Sequence, residues 1–294
     1  MPDEPDASRF ERIVTFLARH FRVMRLTDAV EALSRGALPA AAACITFDDG
    51  YADNLEVAAP ILHRHGLSAT FFIATGYTGG GRMWNDTVVE ALRAAPAGRL
   101  DWSDLGVTAQ DISDGPSRAR AIHAVLNAFK YLSPEQRAER VDEVARRGGL
   151  PARSDLMMDV AQLRALVDLG MDIGGHTVSH PILSRLDDAA ARDEIGAGRE
   201  QLTSWLGNAP TVFAYPNGVP GRDFGLRDLA LVRSAGFSAA VTTARGHGDR
   251  STDPFLVPRF TPWDHGMARF GARLAADLVV ARRPASMLSR ATSC

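Results

Sequence analysis

The sequence predicts an α/β fold, arranged as an incomplete or distorted (β/α) barrel rather than an open sheet. Short runs rich in β-branched and aromatic residues alternate with longer segments of helical periodicity, which is the pattern of parallel strands connected by helices. About seven such runs occur, and most are followed by a helix, an order that fits a barrel. No internal repeat or linker divides the chain, so we expect residues 1–294 to form a single domain.

The first elements are predicted from local patterns in chain order. Apolar residues at helical spacing over residues 10–17 predict a first helix, and a short strand over residues 21–26 comes next. Thr27 or Asp28 is expected to cap a helix over residues 29–34, because both side chains suit the position before a helix.

Two buried strands follow, over residues 42–47 and 69–74. The second of them is the run ATFFIA, whose aromatic and β-branched residues favour strand. The helix between them, over about residues 54–65, ends before Gly66, the residue type expected just past a helix end.

The segment between about residues 85 and 163 interrupts this alternation. It looks helical, with amphipathic stretches near residues 119–132 and 134–147. Because it is long for a single connection between a strand and a helix, we predict a helical insertion over one end of the fold.

The alternation resumes after the insertion. The remaining predicted helices cover residues 160–169, 188–206 and 226–234, and the remaining predicted strands cover residues 171–174, 211–215, 237–242 and 255–260. An amphipathic helix with a basic end is predicted at about residues 266–283.

Composition and charge exclude some classes of function. The chain is 46% hydrophobic and 23% charged, with a formal net charge of -2, which is ordinary for a globular protein. It has no broad basic field for nucleic acid. The two cysteines, Cys44 and Cys294, form no disulfide framework or zinc-binding pattern.

From the given residues we expect no targeting segment. Residues 1–6 are acidic and proline-rich rather than a basic start followed by an apolar core. No stretch approaches the length of a membrane span. We therefore expect a cytoplasmic protein without a transmembrane segment, and its oligomeric state stays open.

The strongest local motif is TFDDGY, which contains Asp48 and Asp49 at the end of a predicted strand. Adjacent carboxylates are costly unless their charge is compensated, and a metal ion is a natural compensation. The carboxyl ends of barrel strands are also where catalytic groups lie. The alternative is that these aspartates cap the next helix.

A second motif, HTVSH, places His176 and His180 just after another predicted strand. Two histidines four residues apart can bind one metal ion, and neutral imidazole is a common zinc ligand. Among eight histidines, such a pair can also arise by chance. A parallel barrel, however, brings both motifs to the same rim. One carboxylate and two imidazoles would leave positions on the ion for water and substrate, and the other carboxylate could act as a base.

The third motif, FAYPNG at residues 213–218, also lies at a strand end. Its backbone N–H groups could stabilise an oxyanion, and Tyr215, Pro216 and Asn217 are therefore candidates for binding the substrate. The alternative is a tight loop that uses proline and glycine only for its turn.

From about Val23 to Arg259, the chain resembles the polysaccharide deacetylases of carbohydrate esterase family 4, the NodB-homology fold. The resemblance rests on TFDDGY, HTVSH and FAYPNG, and on the softer segment ATFFIATGY. It implies a distorted (β/α)7 barrel that removes N-acetyl groups from amino sugars. It further implies that Asp48 is the general base, that Asp49, His176 and His180 bind the metal, and that the Tyr215 amide contributes to the oxyanion hole.

The chain departs from the family pattern in two places. Many members carry an arginine in the third motif, where this chain has Ala214. Arg259 could supply that guanidinium from another direction, or it could be an ordinary surface arginine. The late Leu-x-x-His motif of many members is also missing, and His265 is a candidate for the general acid or for a residue at a helix start.

Trp84 and Asp86 follow the glycine-rich loop and could line a sugar site. The alternatives are that Trp84 belongs to the core and that Asp86 lies at a helix start.

The sequence thus predicts a hydrolase of carbon–nitrogen bonds other than peptide bonds. The predicted cofactor is a divalent ion, with zinc favoured and cobalt, manganese or nickel as alternatives, and the predicted partner is an N-acetylated glycan substrate. Two other functions stay open: hydrolysis of a small amide on the same fold, and glycan binding without catalysis. The glycan, the position deacetylated and the native metal are not predicted.

Overall fold

The computed structural model describes residues 6–151, 154–262 and 264–279. The chain divides into two compact units. The first comprises Met1–Gly79 and Met157–Cys294, and the second comprises Gly80–Leu156. That residues 1–294 act as one catalytic domain stays a prediction.

The secondary structure alternates between strands and helices. The strands are β1 (Arg22–Val23), β2 (Ala42–Ala43), β3 (Thr46–Phe47), β4 (Thr70–Ile73), β5 (Arg99–Trp102), β6 (Val107–Asp111), β7 (Asp172–Gly175), β8 (Val212–Ala214) and β9 (Ala239–Val241). The α-helices are α1 (Ala7–His20), α2 (Leu26–Ser34), α3 (Ala59–Arg64), α4 (Trp84–Ala94), α5 (Gly115–Lys130), α6 (Pro134–Gly148), α7 (Val160–Asp168), α8 (Asp188–Leu206), α9 (Leu226–Ser234) and α10 (Met267–Val279). A π-helix, Asn54–Ala58, directly precedes α3.

The first unit is built on a five-stranded sheet with the order β3-β4-β7-β8-β9. Every neighbouring pair in it is parallel, so all five carboxyl ends lie at one edge. A second parallel pair, β1 and β2, precedes β3 in the chain. The predicted fold class, a distorted (β/α) barrel, is confirmed.

Residues of β4 alternate between the two faces of the sheet, as the pleat of a strand requires. Phe71 and Ile73 are buried in a cluster with residues of the surrounding helices, including Leu62. Phe72 is buried in a separate cluster, with Val212 and other residues of β8 and β9. Both faces of the strand are therefore apolar, which explains the uninterrupted run ATFFIA.

The predicted last strand, over residues 255–260, is wrong. Residues Pro254–Leu256 form a 3₁₀ turn, and a single parallel bridge joins Val257 to Val241 of β9. Pro258 follows directly and has no N–H with which to extend the ladder. Because this bridge is parallel, the chain after Val257 runs beside the edge strand β9, toward the carboxyl end of the sheet.

The predicted cap of the second helix is also wrong. Helix α2 begins at Leu26, and Arg25 occupies the cap position without a side-chain hydrogen bond. Thr27 already lies inside the helix, and its hydroxyl donates instead to Asp172 Oδ2 at 3.1 Å. The Thr27 side chain, which local propensity favours as a helix cap, therefore binds Asp172 at the start of β7 instead.

The second unit contains helices, as predicted for this segment, and also a hairpin that the prediction did not include. Helices α5 and α6 correspond to the two predicted amphipathic stretches, and each begins with a capping box, at Asp114 and Ser133. Between α4 and α5, however, β5 and β6 form an antiparallel hairpin. Its turn contains Gly106 at φ 77°, and Trp102 packs in the core of this unit.

Helix α10, Met267–Val279, is the last described element. The predicted continuation over residues 280–283, and Cys294, lie outside the described residues. No helix in the described part of the chain has the length and apolar character required to cross a bilayer.

Candidate metal centre and active site

Asp48 and Asp49 directly follow β3 at the carboxyl edge of the sheet. The backbone turns sharply here, since Asp49 has φ 76°. The Asp49 carbonyl accepts a hydrogen bond from Ala74 at 3.2 Å, which fixes the turn to the end of β4. The next helical segment starts at Asn54 after Asp53, so the alternative that the two aspartates cap a helix is wrong.

His176 directly follows β7, the neighbour of β4 in the sheet. Its backbone N–H donates to Ile73 of β4 at 3.1 Å, and its side chain is 1% exposed. His180 lies four residues later, at the end of a turn in which Thr177 and His180 both have positive φ, at 66° and 54°. The turn returns His180 toward His176, and their rings meet edge to face with centroids 4.7 Å apart.

The side chains of Asp49, His176 and His180 converge. Asp49 Oδ1 lies 3.3 Å from His176 Nε2 and 3.5 Å from His180 Nε2. One oxygen and two nitrogens therefore point into a common space, with all three ligand atoms within 4.8 Å of one another.

The separation of these atoms fits a metal ion. In a tetrahedral zinc site with bonds of about 2.0–2.1 Å, neighbouring ligand atoms lie about 3.3 Å apart. The two measured distances from Asp49 Oδ1, 3.3 and 3.5 Å, are close to this value. One carboxylate and two imidazoles are also a donor set that zinc accepts.

The tautomer of His176 suits a ligand role. Its Nδ1 lies 2.7 Å from the carbonyl oxygen of Ala214. A carbonyl oxygen only accepts, so Nδ1 carries the hydrogen and Nε2 faces Asp49 with its lone pair when the ring is neutral. Metal-binding histidines usually fix their orientation in this way.

The local charge favours a cation at this position. Burial by itself would lower the pKa of His176, but the hydrogen bond to Asp49 and the charges of Asp48 and Asp49 raise it above its ordinary value. The two carboxylates thus attract positive charge into a largely buried site. A proton can satisfy this demand, and so can a shared divalent ion.

Asp48 points to a different partner, Arg259. Arg259 Nη1 donates to Asp48 Oδ1 at 2.7 Å and Nη2 donates to Oδ2 at 2.8 Å. Burial by itself would raise the pKa of Asp48, but the charge and hydrogen bonds of Arg259, with smaller contributions from His176 and His180, lower it to about 2. Asp48 is therefore a carboxylate at neutral pH.

Arg259 is itself held in place. Its Nε donates to the carbonyl of Thr242 at 3.0 Å and its Nη1 donates to the Thr46 hydroxyl at 3.3 Å. The side chain is 15% exposed, so it is not an ordinary surface arginine. Ala214 of β8 is fully buried, and the guanidinium that contacts Asp48 comes from beyond β9.

The third motif forms a tight loop at the end of β8. The Tyr215 ring is buried and stacks on Phe224 with centroids 3.7 Å apart, so only its backbone can face a substrate. Its N–H donates to Val241 at 3.3 Å. Pro216 is buried, and Asn217 has φ 58°, with its carbonyl bound by the Thr243 hydroxyl at 2.8 Å. A role for Tyr215, Pro216 and Asn217 at an oxyanion or substrate stays a prediction, and for Tyr215 it requires that the bond to Val241 be given up.

The remaining predicted residues lie elsewhere in the chain. Trp84 and Asp86 are in the first turn of α4, in the second unit. The Trp84 ring packs against the core of that unit, with the Arg137 guanidinium 5.4 Å from its centroid. His265 is exposed, and its Nδ1 lies 3.0 Å from Nη1 of Arg9 on α1. Their roles in binding and acid catalysis stay predictions.

Sequence reasoning missed one residue that contacts the HTVSH turn, Glu194 of α8. Its carboxylate accepts hydrogen bonds from the backbone of Val178 and Ser179. A signal was present, because Glu194 lies beside the buried helical positions Ala191, Ile195 and Gly198. A glutamate at the edge of a buried stripe requires a partner.

Backbone strain concentrates in the three motifs. Among the described residues, five that are not glycine have positive φ, and four of these are Asp49, Thr177, His180 and Asn217. Each such residue costs roughly 1–3 kcal/mol and persists only where its surroundings enforce it. Such residues cluster at functional sites, which supports this edge of the sheet as the site of the chemistry.

Comparison with solved structures shows the same fold. A deacetylase of Streptococcus pyogenes, PplD, solved with acetate, matches with a TM-score of 0.57 at 18% identity over 86% of this chain and 80% of that chain. IcaB from Ammonifex degensii matches with a TM-score of 0.57 at 17% identity over 92% of this chain and 88% of that chain. The BpsB deacetylase domain from Bordetella bronchiseptica matches with a TM-score of 0.54 at 16% identity over 84% of this chain and 82% of that chain.

Sequence comparison identifies the family. A search of curated protein sequences finds no match. The profile of the family described as polysaccharide deacetylase matches residues 35–104 and 135–240, which is more than half of the chain and includes all three motifs. The chain therefore belongs to the polysaccharide deacetylase family, the hydrolases of carbohydrate esterase family 4.

Proposed function

We propose that this protein is a metal-dependent hydrolase that removes N-acetyl groups from the amino sugars of a polysaccharide or glycan precursor. The observation that carries the proposal is the convergence of Asp49, His176 and His180 beside a carboxylate, Asp48, that an arginine keeps ionised. The family supports hydrolysis of acetyl amides. Metal dependence, the glycan substrate and the residue roles are our proposals.

Asp49, His176 and His180 would hold the metal, for which zinc is our first choice and cobalt, manganese or nickel the alternatives. When bound, such an ion supplies Lewis acidity, which polarises an acetyl carbonyl and lowers the pKa of water. The bond from His176 Nδ1 to Ala214 fixes the imidazole that would bind it. Three protein ligands would leave a coordination position on the ion for water or substrate, as a catalytic site requires.

Asp48 is the proposed general base. Both of its oxygens are bound by Arg259, yet a carboxylate has about four acceptor positions, so a further hydrogen bond from water is available. In the proposed step Asp48 takes a proton from water, and the water oxygen attacks the acetyl carbon. The carbon–nitrogen bond then breaks, the amine takes up a proton, and the products are acetate and a free amino sugar.

His265 is our candidate for the group that gives a proton to the leaving amine. A histidine that acts as an acid carries hydrogens on both ring nitrogens and becomes neutral when it gives one up. Because the Arg9 guanidinium only donates, its contact with Nδ1 of His265 would have to be released before this step. Replacing His265 by glutamine should lower kcat with little change in metal content, and an unchanged kcat would remove His265 from the mechanism.

The test of the proposed function begins with metal content. We expect near-stoichiometric zinc or another divalent ion in the purified protein, lost in His176→Ala and retained in the control His63→Ala, which alters an exposed histidine of α3. If no divalent ion binds, even after incubation with zinc, cobalt and manganese, the metal site is refuted.

Substrate class is tested next by acetate release. The metal-loaded protein should release acetate from N-acetylglucosamine oligomers faster than it hydrolyses small linear or cyclic amides. The reverse preference would favour a small-amide hydrolase. Binding of the oligomers without acetate release would favour a glycan-binding protein.

A further inference from the structure

Helix α8 holds the turn between His176 and His180 through one carboxylate. Glu194 Oε2 accepts hydrogen bonds from the backbone N–H groups of Val178 and Ser179, at 2.9 and 2.8 Å, and its Oε1 accepts one from the Ser179 hydroxyl at 2.6 Å. Hydrogen bonds to a carboxylate are stronger than those between neutral groups. Three of them act on two successive residues of this short turn.

The opposite side of the turn is bound by the segment after β4. The N–H of Gly76 donates to the carbonyl of Val178 at 2.8 Å, and the Tyr77 hydroxyl donates to the carbonyl of Ser179 at 2.9 Å. The same two residues, Val178 and Ser179, are therefore bound through their N–H groups by α8 and through their carbonyls by residues 76–77. The turn is fixed between two elements of the first unit.

This support matters because the turn is strained. Thr177 and His180 both have positive φ, a backbone conformation that residues other than glycine rarely adopt. The Thr177 hydroxyl accepts the N–H of His180 at 3.1 Å, which closes the turn locally. Without external support, the backbone between the two histidines would relax toward commoner conformations and move the His180 ring.

The Glu194 carboxylate reaches the turn because Gly198, one helical turn further along α8, lets the helix lie close to it. A Cβ atom on Gly198 would lie 3.0 Å from the carbonyl carbon of Thr177 and 3.1 Å from its oxygen. Gly198 therefore permits close approach of α8 to the turn. Glu194 and Gly198, four residues apart, lie on the same face of the helix.

We propose that Glu194 is a positioning residue that fixes the Thr177–His180 turn and keeps His180 Nε2 directed at the space shared with Asp49 and His176. The inference rests on the proposed metal-binding function of that space. Glu194 acts on the site only through the backbone of the turn. Residues that orient a metal ligand typically change metal affinity by about 10- to 100-fold when removed.

The experiment is a titration with Zn²⁺ alone, with a chromophoric chelator as competitor. It compares the full-length wild type, Glu194→Ala, Glu194→Gln and the control Glu200→Ala, which removes an exposed glutamate from the same helix. Titrations are run well below the unfolding temperature of each metal-free protein, so that a general loss of stability does not alter the result. Co²⁺ absorption provides a second readout, because its visible bands report the ligand geometry.

We expect Glu194→Ala to raise the Zn²⁺ Kd by about 10- to 100-fold and to change the Co²⁺ spectrum. Glu194→Gln should raise Kd less, because its amide oxygen can still accept both backbone N–H groups and its NH₂ can donate to the Ser179 oxygen. Glu200→Ala should match the wild type. If Glu194→Ala does not fold, Ser179→Ala, which removes only the hydroxyl bond, should still raise Kd measurably.

The inference is overturned if Glu194→Ala binds Zn²⁺ with the wild-type Kd. It is also overturned if Glu194→Gln weakens Zn²⁺ binding as much as Glu194→Ala does, because the charge of Glu194 rather than its hydrogen bonds would then be responsible. Either result leaves the proposed function intact. Failure of the wild type to bind Zn²⁺ or Co²⁺ would instead refute the metal site, and this inference with it.

Discussion

The Arg259 guanidinium donates hydrogen bonds to both carboxylate oxygens of Asp48, with N···O distances of 2.7 and 2.8 Å, although the two residues are 211 positions apart in the chain. The pair joins the end of β3 to the segment beyond β9, the two edge strands of the sheet. It keeps Asp48 ionised and fixes the orientation of its carboxylate. The arrangement supplies a guanidinium beside the proposed base although the third motif has alanine at position 214.

Replacing Arg259 by alanine should lower kcat by about 100-fold, because a misplaced catalytic group typically costs about that factor. Arg259→Lys should lie between this variant and the wild type, since lysine keeps the charge but not the planar fork that binds both oxygens. Acetate release from N-acetylglucosamine oligomers measures the effect. Arg192→Ala, a change at an exposed arginine of α8, is the control. Wild-type kcat in Arg259→Ala would show that the pair serves only stability.

Asp48→Asn and Asp49→Asn should separate base from ligand. The amide in Asp48→Asn cannot take a proton from water, so kcat should fall by about 100- to 10,000-fold, while the zinc content stays near that of the wild type. Asp49→Asn removes a ligand charge and should lose most of its zinc. Acetate assays and elemental analysis of the same samples test both statements. Substantial turnover by zinc-loaded Asp48→Asn would refute the base assignment.

The sequence predicted much of this arrangement for a simple geometric reason. Polar motifs that follow separate parallel strands must meet at one edge of the sheet, whatever their separation in the chain. Asp49 and His176 are more than 100 residues apart in the sequence, and their side chains approach within 3.3 Å. The alternation of strands and helices was sufficient to place them together.

The features that the sequence analysis did not predict correctly have separate causes. Glu194 reaches the HTVSH turn only because α8 approaches it closely at Gly198, and no periodicity reports that distance. The hairpin of β5 and β6 has strands of four and five residues, too short for a clear alternation. The incorrectly predicted strand over residues 255–260 contains Pro258, which argued against a strand there because proline does not extend a central ladder.

Cys44 should be unreactive in the native protein. Burial, together with the charges of Asp28 and Asp172, raises its pKa from 9.0 to about 12. Because the thiolate is the reactive form, native Cys44 should react with a disulfide reagent at pH 8 more slowly than the unfolded chain, by roughly 10-fold or more after the higher nucleophilicity of a high-pKa thiolate is taken into account. The measurement uses Cys294→Ser, so that Cys44 is the only thiol. Equal rates in the native and unfolded protein would contradict the prediction.

The same shift predicts how stability changes at high pH. The folded pKa is the higher one, so the stabilising contribution is fully present below the unfolded pKa near 9.0 and is lost as pH rises toward about 12. The free energy of unfolding should therefore fall more steeply above pH 9 in Cys294→Ser than in the double variant with Cys44→Ala. Parallel pH profiles for the two proteins would be inconsistent with the raised pKa.

Two glycines of α8 should respond in opposite directions to alanine. Gly196 has open space where a Cβ atom would lie, so Gly196→Ala should raise the free energy of unfolding by up to about 1 kcal/mol through helix propensity. In Gly198→Ala the added carbon lies 3.0 Å from the Thr177 carbonyl carbon, and either the helix or the turn must move. Overpacking of this kind typically costs about 1–3 kcal/mol, which exceeds the gain in propensity.

Denaturant unfolding of the metal-free proteins compares the two variants directly, and Zn²⁺ titration adds the functional readout. Gly196→Ala should keep the wild-type Zn²⁺ Kd, whereas Gly198→Ala should raise it, because Thr177 adjoins His176 and lies in the turn that carries His180. If both variants were stabilised equally with unchanged Kd, α8 would not approach the turn as closely as the structure indicates. The role assigned to Glu194 would then lose its geometric basis, since the carboxylate reaches the backbone of Val178 and Ser179 only at that approach.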